Sequence, residues 1–327
     1  MNPLFYYLKI NSNLLRYHPL NKIKSNVRVA VLMATFNGMH WLQEQLDSIL
    51  MQADVSVTLF ISDDCSDDGS REWLQALAQN EPHIIMLPQV ERTYSAGKNF
   101  YRLISDVNTD NFDYIAFADQ DDIWHTDKLV RHIGLLIQNN AAAVSSNILA
   151  FWPDGTERLI VKSQPQRLCD FIFESAGPGC SFLMTPWLIN MVRKQLADAN
   201  SQARFVELHD WLTYAVCRAY GARWIIDPKP SLHYRQHQAN VVGANSGLAA
   251  KWSRLLKFRQ GWYRSEVIKV SHVCASISAD PKLTIISNLV ADLSILSNYK
   301  LILMVGEARR SLIDRLVLAL CLLLFIF

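Results

Sequence analysis

The sequence predicts an α/β fold with a mainly parallel central sheet flanked by helices, and three observations predict it. Short β-branched runs alternate with helix-patterned stretches from Val27 onward, several of these runs are apolar on both faces, and acidic residues stand directly behind two of them. Strands that alternate with helices imply crossover connections and hence parallel neighbours. Ligands on such sheets bind beyond the carboxyl ends of the strands.

Residues 27–34 (VRVAVLMA) read as a strand buried on both faces, and 38–50 carry helix periodicity in Trp41, Leu42, Leu46, Ile49 and Leu50. Residues 57–61 form the next strand, which ends at Ser62-Asp63-Asp64. After a turn at Asp67-Asp68-Gly69, Ser70 is the expected cap of a helix to Asn80. A third strand at 84–87 leads to Ser95-Ala96-Gly97-Lys98-Asn99, where another helix begins. Residues 114–118 form the fourth strand and run straight into Asp119-Gln120-Asp121-Asp122. The second half is less regular: a strand at 142–149, a loop-rich insertion at 151–176, a turn at Gly177-Pro178-Gly179-Cys180-Ser181, helices after Pro186 and from His209-Asp210, and a strand at 223–227. Beyond about Gly247 the pattern turns helical, with Trp252, Leu255, Leu256, Phe258 and Trp262. These breaks divide the chain into an N-terminal extension (1–26), an α/β domain (27–245) and a helical C-terminal region (246–327).

Half of the 327 residues are apolar and 19% are charged, which excludes disorder over most of the chain and implies a sizeable core. The net charge of +2, with both signs intermixed, gives no electrostatic grip on nucleic acid and points to small partners. Six cysteines without CxxC spacing indicate neither a zinc site nor a disulfide framework, so a reducing, cytoplasmic compartment is expected. The first 26 residues lack the apolar stretch and small-residue cleavage site of a signal peptide. Residues 316–327 are an unbroken apolar run behind Arg309, Arg310 and Arg315. At about 1.5 Å per residue the run covers roughly 18 Å, against a hydrocarbon core of roughly 30 Å. It suits an interfacial anchor on the inner face of the membrane, with a buried C-terminal helix as the alternative.

The chemistry is carried by three acidic clusters. Asp119-x-Asp121-Asp122 places carboxylates where the backbone turns at a strand end, the ligand type that Mg²⁺ or Mn²⁺ shares with substrate phosphates. Capping by Asp122 or Thr126 would need one acid, not three. Asp64, with Thr35, Phe36 and Asn37 at the end of the first strand, has the chemistry to frame a nucleoside. Asp67, Asp68 and Gly69 are explained by the turn alone. Asp210 stands at the start of a helix, where it is either an N-cap or a general base. Arg235 suits a bidentate phosphate contact, His237 a metal or diphosphate contact, and Lys98 a phosphate contact; a solvated loop is the alternative for Arg235 and His237. No GxxxxGK[ST], GxGxxG or GxSxG motif is present.

Taken in order, Met33-Ala34-Thr35-Phe36-Asn37-Gly38, Asp63-Asp64-Cys65-Ser66-Asp67-Asp68-Gly69-Ser70 and Ala118-Asp119-Gln120-Asp121-Asp122-Ile123-Trp124 resemble the family 2 inverting glycosyltransferases, over roughly residues 28–243. Gly177-Pro178-Gly179-Cys180, His209-Asp210-Trp211 and the stretch 234–243 resemble the bacterial rhamnosyltransferase-type subgroup, which builds surface polysaccharides such as O-antigen. The resemblance implies a GT-A fold, a nucleotide-diphosphate sugar donor such as dTDP-rhamnose, a divalent metal and a glycan or lipid-linked glycan acceptor. It implies that Thr35 and Asp64 line the nucleotide, that Asp119 and Asp121 are the DxD pair with Asp122 sharing the metal, and that Asp210 is the catalytic base. Where many members place a glutamate before the base, this chain has His209. The processive QxxRW signature is absent, so transfer of one sugar is expected rather than polymer synthesis. A sugar nucleotidyltransferase would share the sheet, the carboxylates and Mg²⁺. Its Gly-rich phosphate loop is missing, since residues 34–38 supply only Gly38. A non-catalytic nucleotide-sugar or glycan-binding subunit is the alternative from another class.

Overall fold

The computed structural model describes residues 27–237, 261–292 and 294–327. The extension 1–26, the boundary near residue 245, the stretch 238–243 and the pattern at Trp252 to Phe258 lie outside the described residues.

The apolar runs form the strands expected of them. β1 (Val27–Thr35) pairs in parallel with β2 (Val55–Asp63) on one side and with β4 (Tyr114–Ala118) on the other, and β3 (Ile84–Met86) extends the sheet beyond β2. Period-2 alternation sends Val29, Val31 and Met33 to one face and Ala30 and Leu32 to the other, and all five are fully buried because helices cover both faces. One face carries α1 (Leu42–Leu50), α2 (Ser70–Asn80) and α4 (Lys128–Asn139). The other carries α3 (Ala96–Asp106), α6 (Pro186–Ala197) and α7 (His209–Ala219). The register pairs Thr35 with Asp63 and Met33 with Ala118, so the carboxyl ends of β1, β2 and β4 finish level and the first two acidic clusters share one sheet edge.

The sheet is mixed. Its order is β10-β6-β9-β4-β1-β2-β3, and β9 (Leu183–Met184) runs antiparallel between β4 and β6 (Ala143–Ser146), while β10 (Trp224–Asp227) is parallel to β6. The strand expected over 142–149 is two strands in different sheets. Asn147 turns the chain between them: its Nδ2 donates to the Pro228 carbonyl and its Oδ1 accepts the Lys162 and Ser163 N–H groups. β7 (Ile148–Phe151) then joins a second sheet of order β5-β11-β7-β8, with β5 (Ile123–Trp124), β8 (Glu157–Ile160) and β11 (Leu232–Arg235). The insertion at 151–176 therefore holds β8 and the single helical turn α5 (Asp170–Phe173), and Tyr234 and Arg235 lie in a strand rather than a loop. Ser70 is the first helical residue rather than the cap, because Asp68 Oδ1 already accepts its N–H and hydroxyl. Neither Asp122 nor Thr126 caps α4, whose N-cap position falls on Asp127.

Four further helices pack on the α7 side: α8 (Trp262–Ile277), α9 (Pro281–Ala291), α10 (Ile295–Ala308) and α11 (Leu312–Leu323). The apolar C-terminal run is half embedded: Leu318, Cys321, Leu322 and Phe327 enter the core, while Leu316, Val317, Leu320, Leu323 and Leu324 face out. The arginines read as a basic flank for lipid are turned into the protein. Arg310 is buried against Asp170 and Glu174, Arg309 donates to the Phe173 carbonyl and the Tyr263 hydroxyl, and Arg315 donates to the carbonyls of both. A buried guanidinium needs acceptors, and Asp170 of α5 with Glu174 and Ser175 behind it supply them to the two terminal nitrogens of Arg310. Among the described residues no helix is long and apolar enough to cross a membrane.

Candidate active site

At the level ends of β1 and β2, the two aspartates of the first cluster separate. Asp63 is absorbed by the fold, accepting from the Thr35 hydroxyl and from the N–H and hydroxyl of Ser66. The Asp64 N–H is bonded to the Thr35 carbonyl, and its Oδ1 accepts the Thr93 N–H at 2.6 Å. Asn37 adopts a left-handed φ of 49°, which asparagine tolerates, and its amide and Asp67 lock the turn. Phe36 lies beneath the Arg92 guanidinium, 4.0 Å from its ring centroid. Phe36, Asp64 and Arg92 thus stand together at the position the sequence assigns to the nucleoside. Arg92 carries no sequence signal, since it sits in a polar loop and reaches Phe36 only through the fold. Lys98 is exposed on the first turn of α3, with its N–H on Ser95 Oγ.

Gln120, the variable residue of the DxDD run, ties the acidic loop to this corner. Its side chain accepts the Phe36 N–H at 2.8 Å and donates to the Phe36 carbonyl at 2.9 Å, as a neighbouring strand would. Gly38 must be glycine for this, because a Cβ there would lie 2.5 Å from Gln120 Oε1. From α1, Gln45 donates to the Asp119 carbonyl at 2.7 Å, and Asn99 on α3 bonds the Ser62 carbonyl at 2.8 Å. Sequence reasoning passed over Gln120, Gln45 and Asn99, because their partners are distant in the chain.

The three aspartates of the loop point differently. Asp121 Oδ2 lies 2.6 Å from His237 Nε2, and the His237 ring stacks on Trp41 with centroids 4.0 Å apart. Arg235 donates Nε to the Asp121 carbonyl at 2.8 Å, and its guanidinium pairs with Glu44 and lies over the Phe151 ring. Arg235, expected at a phosphate, is thus held beside the acidic loop by these protein partners. Asp122 is fully buried; one oxygen accepts the Arg235 N–H at 3.2 Å, and the other has no hydrogen-bond partner among the described residues. The donor atoms of Asp119, Asp122 and Cys180 lie within 4.8 Å of one another. Loss of hydration, then repulsion from Asp121, raises the carboxyl groups of Asp119 and Asp122, and Asp119 adds to the rise of Asp122. Crowded acids with an orphaned buried oxygen and an imidazole at their edge fit a hard divalent cation, whose charge offsets their repulsion.

Asp210 completes the site. Leu208 holds the N-cap position of α7, so Asp210 lies inside the first turn and is not the cap. One of its oxygens accepts its neighbour Trp211's N–H at 2.6 Å, and the Gly179 N–H lies near enough to favour its charge. Loss of hydration on burial pushes its carboxyl up to about 6, against which these N–H groups and Lys162 act. Its charge in turn raises Asp119, which places the second and third acidic clusters within electrostatic reach. His209 adds no charge. Its ring stacks on Phe100 at 3.7 Å, and burial pushes the imidazole down to about 3, so the residue before Asp210 is neutral. Glycines make this packing possible: a Cβ on Gly179 would lie 2.4 Å from His209 Nε2, and one on Gly97 would lie 2.0 Å from the Glu207 carbonyl. Gly97→Ala should lower stability by about 1–3 kcal/mol, since backbone must move, and should lower turnover with it. Urea unfolding checks this, and an unchanged midpoint would show that the 207–210 segment yields freely.

Comparison with known proteins places these features. The chain matches the Glycosyl transferase family 2 profile over residues 30–184. It is 41% identical over 296 residues to dTDP-rhamnosyl transferase RfbG of Shigella flexneri, covering 90% of this chain and 100% of that protein. It is 27% identical to the putative teichuronic acid biosynthesis glycosyltransferase TuaG of Bacillus subtilis, over 39% of this chain and 49% of that one. Among solved structures it resembles S. aureus TarS 1-349 in complex with UDP, with a TM-score of 0.52 and 11% identity over 75% of this chain and 65% of that chain. It also resembles the mannosyltransferase PcManGT of Pyrobaculum calidifontis in complex with GDP-Man and Mn²⁺, with a TM-score of 0.50 and 16% identity over 93% and 82% of the two chains. At these identities the structural likeness speaks for the fold, a GT-A α/β architecture.

Proposed function

The chain belongs to glycosyl transferase family 2, and from that premise we propose that it moves a single rhamnose from a dTDP donor onto a hydroxyl of a growing surface glycan. The identity to a dTDP-rhamnosyl transferase across that protein's full length supports the donor. Thr35, Phe36, Asn37 and Asp64 hold the nucleoside, with Arg92 over Phe36, and Asp119 takes the ribose. Asp121 and His237 hold a divalent ion, Mn²⁺ or Mg²⁺, with Asp122 behind them; when bound, the ion neutralises charge developing on the leaving diphosphate. Asp210 removes the acceptor proton while the hydroxyl oxygen attacks the anomeric carbon from the face opposite the nucleotide. Configuration inverts and no covalent enzyme intermediate forms.

The observation that carries this reading is Asp210 itself: a carboxylate inside the first turn of α7, raised toward neutrality by loss of hydration and electrostatically coupled to the acidic loop. A panel of nucleotide-diphosphate sugars, with and without Mn²⁺ and read by nucleoside diphosphate release in the presence of lipid extract, tests it. Turnover is expected with dTDP-rhamnose; turnover with a different donor alone would remove rhamnose from the reading. Release of pyrophosphate from a nucleoside triphosphate and a sugar phosphate would instead indicate a nucleotidyltransferase.

A lipid-linked acceptor at the inner membrane surface fits the outward face of the last two helices. Ile295, Leu296 and Leu303 of α10 and Leu312, Ile313, Leu316 and Leu320 of α11 are all exposed. Because the arginines nearby are engaged inside, this contact rests on apolar burial rather than on charge. Leu316→Asp with Leu320→Asp should abolish flotation with liposomes while the fold persists, since neither side chain enters the core. Unchanged flotation would remove the membrane from the reading. Deleting residues 316–327 is the poorer test, because it also strips Leu318, Cys321 and Leu322 from the core.

A further inference from the structure

Lys128 opens α4 with no solvent-exposed surface. Its Nζ donates to the Cys180 carbonyl at 2.5 Å and lies 3.2 Å from the centroid of the Trp124 ring, and burial pushes the amine down to about 7. Withdrawing an ammonium from water costs several kcal/mol, and a methionine or leucine would pack the first turn of a helix without that cost. Its partners come from opposite halves of the site. Trp124 follows the acidic loop directly, whereas Cys180 lies in the turn Gly179–Ser181, whose Gly179 packs so closely on His209, the neighbour of Asp210, that a Cβ would lie 2.4 Å from its Nε2, and whose Gly179 N–H favours the Asp210 charge. Cys180 is flanked on both sides: its thiol lies within 4.8 Å of carboxylate oxygens of Asp119 and Asp122, and Lys128 takes its carbonyl.

We propose that Lys128 is a positioning residue for transfer, holding the Cys180 carbonyl and thereby setting the separation between the acidic loop and the Gly179–Asp210 pair. The leaving diphosphate belongs to the first of these and the attacking hydroxyl to the second, so their separation is the in-line distance of the reaction. Lys128 itself touches neither substrate. This inference rests on Asp210 as the base. A displacement of about 1 Å in such a geometry lowers rate by about 10²-fold without weakening ground-state binding.

The test compares Lys128→Met, which removes the donor, with Lys128→Gln, which keeps an N–H donor but no charge, in the full chain. Lys128→Met should lower kcat about 10²-fold, with donor KM and nucleoside diphosphate affinity as in wild type. Lys128→Gln should recover part of the rate, and it carries the test if Lys128→Met does not fold. Combined with Asp210→Asn, Lys128→Met should cost little further, because it acts through that carboxylate. Wild-type kcat in both variants, a loss confined to donor KM, or full additivity with Asp210→Asn would overturn the inference. Asp210→Asn alone with retained turnover would instead overturn the base assignment, so the two failures are distinguishable.

Discussion

Asp210→Asn should lower turnover by about 10²–10⁴-fold, the range of a lost general base, while nucleoside diphosphate affinity stays at its wild-type value. The asparagine keeps the shape and its Oδ1 accepts the same Trp211 N–H, so the loss isolates proton removal. Wild-type kcat/KM should fall as pH drops through about 6, because the base works only when ionised and its carboxyl is held at about 6. The same shift makes a stability statement of opposite sense. The folded pKa lies above the ordinary value of 3.8, so Asp210 costs stability progressively as pH rises from about 4 through about 6. Asp210→Asn should therefore melt at the wild-type temperature or higher at pH 7, and an inactive but unimpaired fold is the signature to look for. Full turnover in the variant would move the base elsewhere.

Asp121→Asn should produce the next largest loss, about 10²–10³-fold in kcat, the scale of removing one electrostatic contact to a leaving group's charge. Asp121 is buried with His237 at 2.6 Å, and of the three loop aspartates it alone pairs with an imidazole donor. The variant should shift Mn²⁺ activation to higher concentration and weaken Mn²⁺ binding measured by electron paramagnetic resonance with nucleoside diphosphate present. His237→Ala should shift both in the same direction by less, because the carboxylate remains. Binding of Mn²⁺ at wild-type strength in Asp121→Asn would transfer the ion to Asp119, Asp122 and Cys180, the other group of donors in the loop.

How far the site was readable from sequence differs residue by residue. The strand ends were readable because side-chain period and β-branching are local: Tyr114–Ala118 forms as expected, and Asp119 follows it at the sheet edge. The division of labour inside each cluster was not. Asp63 and Asp64 are adjacent and chemically identical, yet Asp63 is consumed by Thr35 and Ser66 while Asp64 stands beside Phe36 and Arg92. Arg309, Arg310 and Arg315 read as a lipid-facing flank by composition, yet acceptors on α5 and just after it hold Arg309 and Arg310, whose carbonyls in turn hold Arg315.

By itself the sequence determined the α/β class, the ends of the main strands, the family and the three acidic clusters. Each of these follows from residue type and spacing within about ten neighbours. The tertiary structure decided which carboxylates meet, that His209 is neutral, that Asn147 splits one strand between two sheets, and that Gln120 and Lys128 tie the halves of the site together. Those outcomes depend on partners far away in the chain, 84 residues for Phe36 with Gln120 and 116 for Asp121 with His237. A hydrogen bond or ion pair is set by distance and hydration in three dimensions, and neither is written in a local stretch of residues.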